Sequence, residues 1–391
     1  MKLLKRTWAD ISLDNLAHNY TQLRAKVPQS CKFLGVVKAD AYGHGAVTVS
    51  RRLKELGAEY LAVSNFEEAL QLRRADIRLP ILILGYTPAI YAQDMADMGI
   101  RQEVHSLEYA QQLDRRMQGA GKRLRIHLKL DTGMSRLGFF AYDHQRTIDE
   151  LVQTCKLQGL YTEGVFTHFP VADSLEPEDE EFTRAQFVRF TEMIDALHAN
   201  GIAPELRHCC NSAATILYPE FALDMIRPGI ATYGISPAPE LSSQIDLRPL
   251  MALRTTISQI RDFDAGISVS YGRTYTTPAP RRIAVLCIGY ADGLSRRLSN
   301  GTSFLLRGRE VPVLGRICMD MCMIDVTDVP GAKVGDVVTV FGTDGERSIS
   351  VEQIAQSLDT IPYEILCSIN KRTPRIYLDG EQRIEVLQYI V

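Results

Sequence analysis

The sequence predicts an α/β protein: a (β/α)8 barrel of the TIM type followed by a mostly β C-terminal domain. Three observations carry that prediction. Between Phe33 and Tyr233 short apolar runs alternate with amphipathic stretches, and the runs number eight. After about Gln244 the helical periodicity gives way to short apolar segments separated by Gly, Pro and Asp.

The predicted barrel strands are Phe33–Val37, Tyr60–Val63, Ile81–Leu84, Gln102–His105, Arg125–Leu130, Tyr161–Thr167, Glu205–His208 and Asp224–Ile226. Helical spacing lies between them, as in Val49, Leu53 and Leu56, or Phe187, Phe190, Ile194 and Leu197. A helix after each strand implies right-handed βαβ units and a parallel sheet, and eight such units suit a closed barrel. Pro237-Ala-Pro239 and Ser242-Ser-Gln244 mark a linker, so we assign residues 1–240 to the barrel and 241–391 to the β domain. In the latter, strands are predicted at Ile283–Ile288, Phe304–Leu306, Val311–Leu314, Met323–Val326 and Val337–Phe341, with one helix near Val351–Leu358.

Composition narrows the function. Lys plus Arg number 44 against 47 Asp plus Glu, a net charge of −3, which excludes a broad footprint for nucleic acid or an anionic membrane. The eight cysteines contain no C-x-x-C pair, and Cys318-x-x-x-Cys322 lacks a partner motif, so no metal is expected. The first residues lack a signal-peptide apolar stretch and no apolar run reaches membrane-span length; the expectation is a cytoplasmic protein without membrane contact.

Barrel chemistry sits at the C-terminal ends of strands. The first strand runs into Lys38, then Ala39-Asp-Ala-Tyr42-Gly-His-Gly45. A lysine there is partly desolvated, which favours the neutral amine for Schiff-base work; an ordinary loop lysine is the alternative. Strand five leads through Lys129 to Asp131-Thr-Gly-Met-Ser-Arg136-Leu-Gly, whose turns present Arg136 for a carboxylate or for a structural salt bridge. Strand six ends in Thr167-His168-Phe169, with His168 either stacked on a planar ligand or satisfied in the core. Asn211-Ser212 after strand seven and Arg227-Pro-Gly229-Ile230 after strand eight suit a phosphate, although plain capping explains Asn211 and Ser212 equally. Lys38, Arg136, His168, Ser212 and Arg227 together imply pyridoxal 5′-phosphate.

These motifs fall in order with Val269-Ser-Tyr271-Gly272, Gly289-Tyr290-Ala-Asp-Gly293, Gly315-Arg-Ile-Cys-Met319-Asp320 and Ile361-Pro-Tyr363-Glu364 in the β domain. As a set they resemble the alanine racemases, and the resemblance spans nearly the whole chain. It implies a pyridoxal-phosphate homodimer with shared active sites that interconverts L- and D-alanine for peptidoglycan. By that resemblance Lys38 carries the cofactor and Tyr271, from the partner chain, is the second catalytic base. Tyr42, Ser212, Gly229, Ile230 and Tyr363 contact the phosphate, with Asn211 beside them. His168 packs on the ring, Arg227 faces its nitrogen, and Arg136 with the backbone of the partner's Met319 grips the substrate carboxylate. The partner's Tyr290 stands at the substrate channel, and Lys129 matches a lysine often carbamylated in the family. Met321 replaces the common Gln, and Pro170 follows the His168 motif. A serine-directed or broad-specificity racemase of the same fold is the alternative, although Tyr363, where serine racemases tend to carry Asn, favours alanine. A non-catalytic pyridoxal-phosphate carrier is the reading from another class; the β domain and Tyr271 argue against it.

Overall fold

The computed structural model describes residues 6–390. They form two compact units. One comprises Leu16–Ala41 and Ala46–Arg248; the other comprises the N-terminal segment through Asn15, Tyr42–Gly45 and the chain from Pro249 onward.

In the first unit the parallel strands are Lys32–Val36, Tyr60–Val63, Ile81–Ile83, Ile100–Val104, Leu124–Asp131, Leu160–Phe166, Leu206–His208 and Met225–Ile226. All eight predicted runs are there, with ends shifted by at most two residues and Tyr60–Val63 unchanged. Each of the first six strands pairs with the next, and Met225–Ile226 pairs back onto Lys32–Val36. Between the seventh and eighth, Asp224 N donates to Arg207 O at 3.0 Å and Arg227 N to Cys210 O at 2.9 Å, which brings the barrel round on itself. Helices pack outside, several opened by capping side chains: Asn65 accepts from Glu68 N, Ser106 from Tyr109 N, and Asp143 from Arg146 N. The fifth strand, Leu124-Arg-Ile-His-Leu-Lys-Leu-Asp131, alternates strictly. Successive side chains take opposite faces, so Ile126, Leu128 and Leu130 share one face. His127, Lys129 and Asp131 share the other, inside the barrel; all six are buried.

In the second unit, six strands return on themselves: Met251–Phe263, Arg281–Leu286, Cys322–Asp325, Arg309–Leu314, Ser303–Leu306 and Val337–Asp344, the last pairing again with the first. Closure removes exposed edges. Strand Thr7–Ser12, which a division at residue 240 puts with the barrel, instead pairs with Met251–Phe263 and Arg375–Asp379 in this unit. Its hydrogen-bond partners lie at the other end of the chain, so no local pattern announces them. Helix Val351–Ser357 begins in a Ser350/Gln353 capping box, as its periodicity suggests. The short helix Pro362–Ser368 was not foreseen. No helix among the described residues is long and apolar enough to cross a membrane.

Candidate active site

Lys38 is half-buried directly after the first barrel strand. Beyond it Ala39, Asp40 and Ala41 take φ of 51, 54 and 54°, a left-handed turn of residues that disfavour it. Each costs roughly 1–2 kcal/mol, and identifiable bonds hold them. Glu68 Oε1 accepts from Ala39 N and Oε2 from Ser64 N, both at 2.7 Å; Asp40 Oδ1 accepts from Ala46 N at 2.8 Å. Sequence reasoning missed Glu68. Asn65-x-x-Glu68 has the spacing of a capping box, but the carboxylate reaches outward to the lysine's turn instead.

Four cations act on one imidazole. Burial comes first, then Arg227, Lys129, Arg136 and Lys38, and together they hold His168 well below its ordinary pKa, as a neutral ring. Lys129 Nζ and Arg227 Cζ lie 4.9 and 5.3 Å from the centre of the Phe166 ring. Burial, then Arg227 and Arg136, lowers Lys129 to about 7 against weaker opposition from Glu103 and Asp131. Arg227 is buried and pushed down to about 10 by desolvation. It donates to His208 Nδ1 (2.9 Å), Thr167 O (2.7 Å) and Cys209 O (3.1 Å), none of them a carboxylate.

The Arg136 loop is shaped locally. Asp131 Oδ1 accepts from Gly133 N and Ser135 N, both at 3.0 Å. Gly138 has φ +135°, and a Cβ there would stand 2.5 Å from Asp131 N. Arg136 itself is exposed. Pro170 leaves His168 O within reach of the Gln186 amide at 3.4 Å.

Ser212 is buried, and its Oγ accepts from Gly229 N at 2.8 Å and Ala231 N at 3.3 Å. Among the described residues its own hydroxyl hydrogen meets no acceptor, so a buried donor is left over. Asn211 caps Ala214 N at 2.9 Å and donates to Phe169 O at 3.0 Å, fixing the loop. Ile230 is buried at the start of a 3-10 turn entered through Gly229.

The second unit carries the other candidates. Tyr42 and Tyr363 pack ring on ring at 5.9 Å, and burial raises the Tyr42 phenol, keeping it protonated. Gly43 and Gly45 serve packing: a Cβ would lie 2.2 Å from Leu366 O at the first and 1.9 Å from the Tyr377 hydroxyl at the second. Arg375 Nε donates to Gly43 O at 2.9 Å and Tyr377 to His44 O at 2.9 Å. Tyr271, Tyr290 and Met319 are all exposed, at 68, 43 and 53%. Backbone bonds tie two of them together, Tyr290 N to Cys318 O and Ala291 N to Met319 O, both at 3.0 Å. Gly315 abuts Ser270, beside Tyr271, so closely that a Cβ would sit 2.7 Å from it.

The alanine racemase N-terminal domain matches residues 11–237, and the alanine racemase C-terminal domain matches residues 250–377. The chain belongs to the alanine racemase family. It is therefore an enzyme of the racemase type, an isomerase. Among relatives, it is 46% identical over 380 residues to an alanine racemase of Desulfosudis oleivorans, covering 95% of this chain and 97% of that one. It is 42% identical over 388 residues to alanine racemase 2 of Caldanaerobacter subterraneus, covering 99% and 98%. The solved alanine racemase of Clostridium difficile superposes with a TM-score of 0.95 at 38% identity, over the full length of both chains.

Proposed function

We propose that this enzyme interconverts L-alanine and D-alanine with pyridoxal 5′-phosphate, in the cytoplasm, as a homodimer that supplies D-alanine for peptidoglycan. One observation carries the reading: Lys38, Lys129, Arg136 and Arg227 act together on the neutral His168, and among the described residues Arg227, buried, donates to no carboxylate. Such a pocket calls for an anion. The donor set fits the cofactor: an amine for its aldehyde, the leftover Ser212 hydroxyl with the Gly229 and Ile230 backbone for its phosphate, and a neutral imidazole for its ring. Asn211 holds the phosphate loop in shape, and Tyr42 and Tyr363 are further phosphate contacts by resemblance. When bound, the cofactor supplies an electron sink for the Cα carbanion.

Lys38 Nζ takes or returns the Cα proton on one face. Tyr271 Oη, supplied by a second copy of the chain, does so on the other, and the two exchange acid and base roles with the hand of the substrate. The exposure of Tyr271, Tyr290 and Met319 on a single chain supports that assignment. Arg136 and the backbone of the partner's Met319 grip the carboxylate, the partner's Tyr290 lines the channel, and a carbamate on Lys129 orients Arg136. Arg227, at about 10, stays a cation and donates a hydrogen bond without giving up its proton. It would offer that hydrogen bond to the ring nitrogen of the bound cofactor.

The test is turnover. The loaded enzyme is given L- or D-alanine, with serine in parallel, and the enantiomers are separated on a chiral column. We expect alanine to interconvert in both directions and faster than serine; no interconversion with cofactor bound would overturn the reading. Borohydride reduction should fix the cofactor on Lys38, and a label elsewhere would overturn the cofactor assignment.

A further inference from the structure

We propose that Glu163 is the remote anchor of Arg227, acting through a one-way hydrogen-bond chain of two imidazoles, His208 and His127, that holds the guanidinium aimed at its ligand. The role assigned to Arg227 rests on the cofactor reading above; the chain itself does not.

The direction of the chain follows from one donor. A guanidinium has no acceptor, so the 2.9 Å contact between Arg227 and His208 Nδ1 makes that nitrogen the acceptor. A neutral His208 then carries its proton on Nε2. That nitrogen lies 2.8 Å from His127 Nδ1 and donates to it. His127 in turn carries its proton on Nε2, 3.2 Å from Glu163 Oε2, and donates there. Every step has one allowed sense. Burial is the leading cause that keeps both rings neutral, lowering His127 and placing His208 well below its ordinary value.

The far end is anchored. Glu163 accepts from Arg101 Nε at 2.8 Å and from Arg125 at 2.6 Å. Burial works to raise its pKa, but the bonds from His127 and Arg101 prevail and hold it well below the usual carboxylate range. The rings are fixed as well: His208 stacks on Phe166 at 4.9 Å with 4° between planes. Gly164, the barrel neighbour of His127 in register, makes room for the His127 ring; a Cβ there would lie 2.5 Å from Nδ1.

The physical need is plain. A buried cation without a counter-charge is costly, and a carboxylate placed directly on Arg227 would satisfy the N–H groups that a ligand must use. Two imidazoles instead give Arg227 a neutral acceptor, whose orientation Glu163 fixes from the far end, and lock the guanidinium by its rear edge. Thr167 O and Cys209 O hold its side.

The experiment has two arms. In the full-length protein with 15N-labelled histidine, both rings should appear at pH 7 as neutral tautomers with the proton on Nε2, with and without cofactor. A charged ring or an Nδ1–H tautomer at either position overturns the chain, whatever the cofactor result. For the role, His127→Asn keeps an acceptor for His208 but cuts the link to Glu163. In the loaded enzyme kcat should fall about tenfold or more, with KM for alanine within about twofold, as is usual for groups acting through another residue. The absorption band of the bound cofactor should shift. Gly164→Ala, which presses on the same ring, should shift that band in the same direction and serves if the first variant does not fold. Unchanged kcat and spectrum in a folded, loaded variant overturn the role, whereas loss of labelling at Lys38 sinks only the cofactor reading.

Discussion

At Lys129, burial and two neighbouring guanidiniums lower the ammonium to about 7, so the neutral amine is accessible near neutrality. A neutral amine adds CO2 and releases a proton, which turns a cation among cations into an anion among cations. A carbamate signal from 13C-bicarbonate should therefore appear in the parent and vanish in Lys129→Ala. The same shift makes a stability statement. The folded-state value lies below the unfolded 10.5, so between pH 7 and 10.5 the unfolded chain binds more protons and stability rises with pH. In CO2-free buffer, the stability of the parent relative to Lys129→Met should increase from pH 7 to 9 in urea unfolding. A flat difference would place the ammonium in a less hostile setting than burial among arginines. Lys129 entered the sequence reading only by resemblance, because its burial beside Arg227 and Arg136 is a property of the folded barrel.

The left-handed turn after Lys38 is an element with no sequence signature, since Ala39, Asp40 and Ala41 are ordinary residues for a helix or a loop. Its cost of roughly 1–2 kcal/mol per residue is offset by bonds from Glu68 and Asp40. Glu68→Ala removes the acceptor of two backbone N–H groups at once. We expect it to weaken pyridoxal-phosphate binding and lower kcat about tenfold, with Glu68→Gln intermediate because its single oxygen can serve one of them; parent-like behaviour of the alanine variant would show that the turn holds itself. Elements with a local period were legible, which is why all eight barrel strands could be placed. Strands Thr7–Ser12, Met251–Phe263, Arg375–Asp379 and Gln382–Leu387 were not. Thr7–Ser12 finds its partners far along the chain, and Met251–Phe263 mixes threonines and charges into its alternation. The residues at strand ends, Lys38, Arg136, His168, Ser212 and Arg227, could be read because a barrel fixes where strands point. Glu68, His127 and Glu163 could not, because they act through hydrogen-bond direction. The faint signal was a strand alternating His127, Lys129 and Asp131 toward a barrel interior.

For the molecule as a whole, a net charge of −3 conceals a cluster of basic side chains, Lys38, Lys129, Arg136 and Arg227, whose field bears on one buried histidine. The proposed second base, Tyr271, lies on the other unit and is largely exposed, as are Tyr290 and Met319. A residue needed to move protons at a shielded carbon has little use in open solvent, so the exposed trio must be covered by something, and a second copy of the chain is the proposal. Subunit mixing tests it. Lys38→Ala and Tyr271→Phe should each be nearly inactive. If each site takes Lys38 from one copy and Tyr271 from the other, a mixed dimer has one intact site and one doubly altered site. An equal mixture unfolded and refolded together makes mixed dimers in about half of the assemblies, so activity should return to about a quarter of the parent, as two-fold symmetry requires. Sites complete within one chain would leave the mixture as inactive as its components, because no exchange of subunits could then bring an unaltered Lys38 and an unaltered Tyr271 together.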